Sequence, residues 1–241
     1  MLRHSLAALL LVAPAVAVAG KPLTSGEFRN TAQTIEKGSF VLHPLFMPSG
    51  FGITDTVDLK FTALGLLAGP NASVEATLLD TDAFALSVEP SGSASWSLST
   101  FAAGADVHTT VPLGDHRFNV SLGGGWSKFI TVTTDDNGNI LDTSEVTTLS
   151  VPFNVGFDLV SSDQTTWRFV AAGDALTFSK KPTVLVGANW NHVLGEKFRL
   201  ALGVGAYIGE NPLLPYADLL GWEPKKVLIL PLPTIEMWWK F

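Results

Sequence analysis

The sequence predicts an all-β fold, a single transmembrane up-and-down antiparallel β-barrel of twelve strands, with ten strands as the alternative. Three observations support this prediction: the chain begins with a secretory signal, its apolar residues recur at every second position, and its last predicted strand ends on an aromatic residue. Alternation of apolar and polar residues is the main sequence signal for strands. In exported barrels it takes the place of long apolar helices.

The first residues have the pattern of a signal peptide. Arg3 precedes an uncharged run from Leu6 to Val18, and small residues lead up to Gly20. We expect cleavage after Ala19. Because no linker or repeat divides the rest, we interpret 1–19 as the signal peptide and 20–241 as one outer-membrane β-barrel domain.

Composition narrows the class of protein. The formal net charge of −7 argues against nucleic acid as a partner, since such binding needs a basic surface. The chain has no cysteine, so a disulfide framework is excluded. The mean hydropathy of +0.30 is high. After Ala19, however, no apolar run reaches the ~20 residues that a membrane-spanning helix needs.

Turn residues divide the chain into eleven alternating segments. The predicted strands are 38–48, 56–67, 71–80, 83–91, 101–113, 116–133, 141–161, 165–178, 183–194, 197–209 and 227–241. We add a first strand within 25–36, because single-chain bacterial barrels have even strand numbers. Pro231 and Pro233 predict a bulge in the last strand, since proline donates no ladder hydrogen bond.

The alternation is clearest from Phe198 to Ile208, where one face is apolar and the other carries Arg199, Ala201 and glycines. Glycine is also frequent on the polar face elsewhere. A solvent-facing strand gains nothing from glycine, whereas a narrow lumen needs small residues beside long charged ones. Short turns alternate with longer connections at 92–100, 134–140 and 210–226, as periplasmic turns and extracellular loops do.

The last predicted strand places four apolar residues on one side, which we interpret as lipid-facing. They are Ile235, Met237, Trp239 and Phe241. We interpret this row as a membrane assembly signal, with the barrel assembly machinery as its partner.

Two short segments carry a family resemblance. Asn30 to Phe40, with its Thr-x-x-Lys-Gly pattern, and Phe51 to Leu59, with Gly-x-Thr-Asp, resemble the opening of a diverse group of uncharacterised Gram-negative outer-membrane barrels. The resemblance covers about 30 residues and the C-terminal strand. It implies the barrel architecture and no shared catalytic residues.

The polar faces of the predicted strands hold a set of charged residues of both signs. These predicted lumen charges are Asp58, Lys60, Glu75, Glu89, Asp106, His108, Arg117, Asp158, Arg168, Asp174, Arg199 and Glu236. Because unpaired charges in a low dielectric are costly, we expect a narrow or occluded, salt-bridged lumen, with each of the three arginines near an acid of this set. The excess of acids over bases suggests the alternative, a weakly cation-preferring channel for small solutes.

No pattern predicts catalysis, a cofactor or a metal, so the chain is not expected to be an enzyme. His192 beside Asn189 and Asn191 is the best catalytic candidate, but no serine has a suitable spacing. The acidic stretch at 135–139 resembles a calcium loop only loosely, because it lacks the later bidentate glutamate. Asn137-Gly138 within it is a strong hairpin turn signal.

We therefore expect a monomeric integral outer-membrane protein with a structural or surface-interaction role. Its expected partners are outer-membrane lipid and lipopolysaccharide. The channel is the first alternative. A secreted soluble β-sandwich binding module is the second. The apolar loop 213–222 is expected to touch a partner, lipid or the lumen.

Overall fold

The computed structural model describes residues 23–44, 47–134, 140–178, 183–210 and 227–241. In this part of the chain, twelve antiparallel strands pair side by side into a closed ring, and one extra strand continues beyond it. The predicted all-β barrel and its count of twelve strands are confirmed. The signal peptide at 1–19, the loop 213–222 and the turn 135–139 lie outside the described residues.

The bounds of the elements follow in chain order. The strands are β1 Phe40–Leu42, β2 Ser49–Gly52, β3 Val57–Phe61, β4 Asn71–Asp80, β5 Ala85–Ala94, β6 Thr100–Leu113, β7 His116–Thr134, β8 Ile140–Ser150, β9 Pro152–Ser162, β10 Thr165–Asp174, β11 Val184–Val193, β12 Phe198–Glu210 and β13 Val227–Lys240. Short 3-10 helices cover Ser25–Glu27 and Leu64–Leu67, and the one-turn helix α1 covers Ala175–Phe178. Among these described elements, none is a helix long and apolar enough to cross a membrane.

The ring closes through three pairings. β1 pairs with β13, and β7 pairs on its two sides with β6 and β9. A sandwich consists of two packed sheets with open edges, whereas here one sheet returns on itself. The β-sandwich alternative is therefore wrong.

The predicted strand 141–161 is divided into β8 and β9. Both pair with β7 in the same register, since Gly125 faces Ser150 and Leu122 faces Phe153. At the break, the N–H of Val151 donates to Asp174 Oδ2 at 2.9 Å. The next residue, Pro152, has no N–H to donate. β8 and β9 thus lie end to end along β7. β9 belongs to the ring, whereas β8 and the second half of β7 form a two-stranded ribbon that extends beyond it.

The prediction of a first strand within 25–36 is wrong. Residues 23–36, which we call the inner segment, contain a 3-10 helix and no strand. The segment folds back on itself at Gly26, where a Cβ would lie 2.1 Å from the Thr34 carbonyl oxygen. The missing strand comes from the predicted strand 38–48, which ends at Leu42 as β1. The chain then re-enters the wall as β2.

Two other predicted strands end early, at Phe61 and Asp174, where helical turns follow. The bulge expected at Pro231 and Pro233 is also absent, because β13 pairs with β12 without a register shift. Since β1 pairs only with Trp239 and Lys240, the other edge of β13 at the prolines has no strand partner among the described residues. Proline is tolerated at such an edge.

The two surfaces of the wall are inverted relative to a soluble barrel. Outward Leu202, Val204 and Ile235 are 41%, 58% and 62% exposed, whereas inward Glu75 and Arg199 are fully buried. The short turns lie at one end of the ring, which we call the turn end, together with Phe241. The longer connections lie at the opposite loop end. The barrel thus buries its polar side chains and exposes its apolar ones.

Candidate functional site

The inner segment lies within the ring. The N–H of Ala32 donates to Thr110 Oγ1 of β6 at 2.9 Å, and the N–H of Ile35 donates to Asp58 Oδ2 of β3 at 2.9 Å. Arg168 of β10 donates to the carbonyl of Arg29 at 2.7 Å. These strands stand well apart around the ring, so a segment that reaches all three must cross its interior.

Glu27 anchors the inner segment to β12 and β13. Its carboxylate accepts hydrogen bonds from Arg199 Nε at 3.0 Å, Trp238 Nε1 at 3.1 Å and Lys240 Nζ at 3.3 Å. All four side chains are at most 3% exposed. The next residue, Phe28, packs edge-on against Trp238 with ring centroids 6.4 Å apart. We name Glu27, Arg199, Trp238 and Lys240 the Glu27 cluster.

Arg199 therefore has a partner that the sequence analysis did not foresee. Its acid was expected among the predicted lumen charges, whereas Glu27 belongs to a segment that was expected to be a strand. The inner segment thus brings its own carboxylate to a cation of the wall.

A second group, the Lys60 cluster, joins β3, β4, β5 and β6. Lys60 Nζ contacts Glu75, lies 3.2 Å from Glu89 Oε2 and lies 3.9 Å from Asp58 Oδ2. His108 Nε2 lies 3.3 Å from the same Glu89 oxygen. Three carboxylates thus surround one ammonium, and this cluster carries an excess of negative charge.

A third group, the Asp158 cluster, has an excess of positive rather than negative charge. Arg117 Nε and Arg168 Nε lie 3.6 and 3.5 Å from the two carboxylate oxygens of Asp158, which is fully buried. Asn119 Nδ2 donates to Asp158 Oδ2 at 3.0 Å. Since two guanidinium groups share one carboxylate, this cluster carries an excess of positive charge.

The remaining predicted lumen charges lie nearer the loop end or in the cavities. Glu236 accepts from the N–H of Met47 at 3.1 Å and pairs with His43 at 3.2 Å, which fastens the connection between β1 and β2 to β13. Asp174 accepts from the N–H groups of Val151 and Leu176. Asp106 lines open space in the lumen.

Two cavities of about 340 and 350 Å³ lie on the loop-end side of the inner segment. Both are lined by Arg29, Asn30, Asp106 and Pro152, so we treat them as two lobes of one vestibule. A cavity of about 220 Å³ lies toward the turn end, beside Thr34. The inner segment thus stands between the vestibule and the turn end.

The sequence analysis missed Glu27, Arg29 and Lys240 as lumen residues. Lys240 had a usable signal, because it lies four residues after Glu236 in the same strand and therefore on the same face. Glu27 and Arg29 had none, since the irregular inner segment carries no strand periodicity.

The weaker candidates have ordinary surroundings. His192 Nδ1 lies 2.7 Å from Thr165 Oγ1, and its ring stacks on Trp190 at 4.9 Å. Among the described residues, no group of three or more His, Cys, Asp or Glu side chains is placed to hold a metal ion. In the outward C-terminal row, Ile235, Met237 and Phe241 are exposed, and Trp239 packs against Phe198.

Comparison with known proteins adds no relative. No protein-family model matches the chain, and no curated protein matches it significantly. The resemblance to Gram-negative outer-membrane barrels is therefore unsupported at the level of a family. The closed antiparallel barrel rests on the structure itself.

We predict that Glu27→Gln is strongly destabilising. It removes the charge of the buried carboxylate that Arg199, Trp238 and Lys240 share, and breaking a buried ion pair on one side costs roughly 3–5 kcal/mol. Urea unfolding of the detergent-refolded protein measures the free energy. Glu36→Gln is the matched control, because Glu36 also pairs with Lys240, at 3.2 Å, but is 58% exposed. Such a pair contributes about 0–1 kcal/mol, so equal losses in the two variants would contradict this role of Glu27.

Proposed function

We propose that the chain is an integral outer-membrane β-barrel protein whose lumen is closed by the inner segment, with a structural or surface-interaction role. The observation that carries this proposal is the inverted wall, which exposes apolar side chains and buries charged ones. Water gives no reason for a strand surface to expose Val204 and Ile235 in this way. A surrounding hydrocarbon phase does, because outer-membrane barrels present an apolar band to lipid and a polar surface to the lumen.

The contacts of the inner segment support a closed lumen. The segment hydrogen-bonds to β3, β6 and β10 and forms a buried ion cluster with β12 and β13. Removing it would expose Arg199 and Lys240 without their acid, which is costly. The segment is therefore held as part of the barrel interior rather than as a loose terminus.

The remaining expectations belong to the same proposal. The protein would be exported by a signal peptide over 1–19, would contact lipid and lipopolysaccharide through its outward surface, and would meet the barrel assembly machinery through the row of Ile235, Met237, Trp239 and Phe241. We propose a monomer without enzymatic activity or cofactor. The alternative of a small-solute channel is favoured by the vestibule, which forms open space in the lumen on the loop-end side of the inner segment.

We predict that the two faces of the wall respond differently to arginine. Val204 points outward from the middle of β12, where arginine facing lipid should cost ~2–4 kcal/mol. Ser91 lines the vestibule, where arginine remains hydrated and should cost far less. Unfolding titrations in lipid vesicles measure both variants, with Val204→Ala as the control for lost side-chain volume. Similar costs for Val204→Arg and Ser91→Arg would refute the lipid-facing assignment.

We further predict that the intact protein is silent in a planar bilayer. A variant that lacks residues 23–36 should show unitary conductance steps, because the lumen then joins the vestibule to the turn end. Circular dichroism of the variant checks that the barrel has formed. Reproducible steps from the intact protein would instead establish the channel alternative.

A further inference from the structure

The vestibule contains an unbalanced positive charge next to open space. In the Asp158 cluster, Arg117 and Arg168 share a single carboxylate, so within the described ranges one guanidinium charge has no acid of its own. Arg168 is 6% exposed, and its Nη1 has no hydrogen-bond partner among the described residues. The same side chain lines the vestibule. A buried, charged donor that faces a cavity without a partner is a costly arrangement unless a ligand or water completes it.

A second arginine of the vestibule is Arg29, on the inner segment. Arg29 lines both lobes of the vestibule, and its carbonyl accepts the hydrogen bond from Arg168 Nη2 at 2.7 Å. The inner segment thereby holds Arg29 next to Arg168. Two arginines that line one cavity supply the planar, charged donors that recognise carboxylate and phosphate oxygens well.

Two other polar side chains of the vestibule indicate which further groups a ligand would carry. Asn154 Oδ1 is buried there and has no hydrogen-bond partner in the described part of the chain. It accepts a hydrogen bond, so it suits a ligand that carries a hydroxyl or ammonium group beside its oxyanion. Asp106 is the acid that lines both lobes, and it opposes a simple anion but favours a ligand with an ammonium group.

We propose that the vestibule is a binding site for a small solute with an oxyanion group, carboxylate or phosphate, which is held by Arg29 and Arg168. The vestibule reaches Pro152, Gly173 and Leu185, where β9, β10 and β11 meet the loop end. A solute would therefore enter from the loop end. This site would prefer an anion, whereas the lumen charges counted along the sequence predict a preference for cations. Binding at this site does not require that solutes pass through the barrel. The inference therefore goes beyond the proposed closed barrel, and it holds whether or not the lumen is closed.

The test is isothermal titration of the full, detergent-refolded chain with acetate, with glycine and with inorganic phosphate, at constant ionic strength. We expect saturable binding of at least one probe. The preferred probe distinguishes a carboxylate, an amino acid and a phosphate compound as the natural class. No saturable binding of any of the three would overturn the proposal.

Variants locate the site. Arg29→Gln should weaken binding at least about tenfold, since it removes a charged hydrogen-bond donor from the oxyanion. Asp106→Asn should strengthen binding of acetate and phosphate several-fold, because it removes the opposing charge. Lys128→Gln is the control, a loop-end cation that pairs with Glu145 on the ribbon and does not line the vestibule.

None of these variants changes a residue of the Glu27, Lys60 or Asp158 cluster, so each is expected to fold. Far-ultraviolet circular dichroism checks that the barrel has formed. Unchanged affinity in Arg29→Gln would refute the site. An equal loss in Lys128→Gln would also refute it, because binding would then reflect general surface charge. Conductance of the wild-type protein would refute the proposed closure of the lumen. It would not affect the interpretation of these titrations.

Discussion

The compensation of buried charge inside the ring is the constraint on which the rest of the structure depends. The Lys60 cluster carries two excess negative charges, and the Asp158 and Glu27 clusters each carry one excess positive charge. Counted over their ammonium, guanidinium and carboxylate groups, the three clusters balance one another. Neutrality depends on Glu27 of the inner segment and Lys240 of β13. Burial of ions without such matching would cost several kcal/mol for each one.

This balance explains why the inner segment is integral to the barrel. Its apolar contribution is small, since the buried apolar cluster consists of Phe28, Ile35, Val41, Ala201 and Trp238. Hydrogen bonds and ion pairs hold the rest of the segment to strands that are distant in sequence. A barrel with an apolar outside cannot rely on a large apolar core. Its interior is therefore specified by polar contacts, which demand fixed geometry.

The inner segment also decides what the vestibule can do. It divides the lumen and places Arg29 beside Arg168, next to a cluster whose positive charge is incompletely matched. Without the segment, the same wall residues would line a continuous lumen with a different charge balance. The same stretch of chain thus stabilises the barrel, closes the lumen in the proposed function and supplies a side chain of the proposed anion site.

The sequence by itself determined the barrel, because strand periodicity is local and assigns each residue to one face of the sheet. The faces of β12 and β13, and the acids and bases of the wall, could be read from alternation alone. The tertiary structure decided the path of residues 23–36, the division at Val151 and the partner of Arg199. These depend on contacts between residues far apart in the chain, such as Glu27 with Arg199, and an irregular segment has no period from which its partners can be predicted.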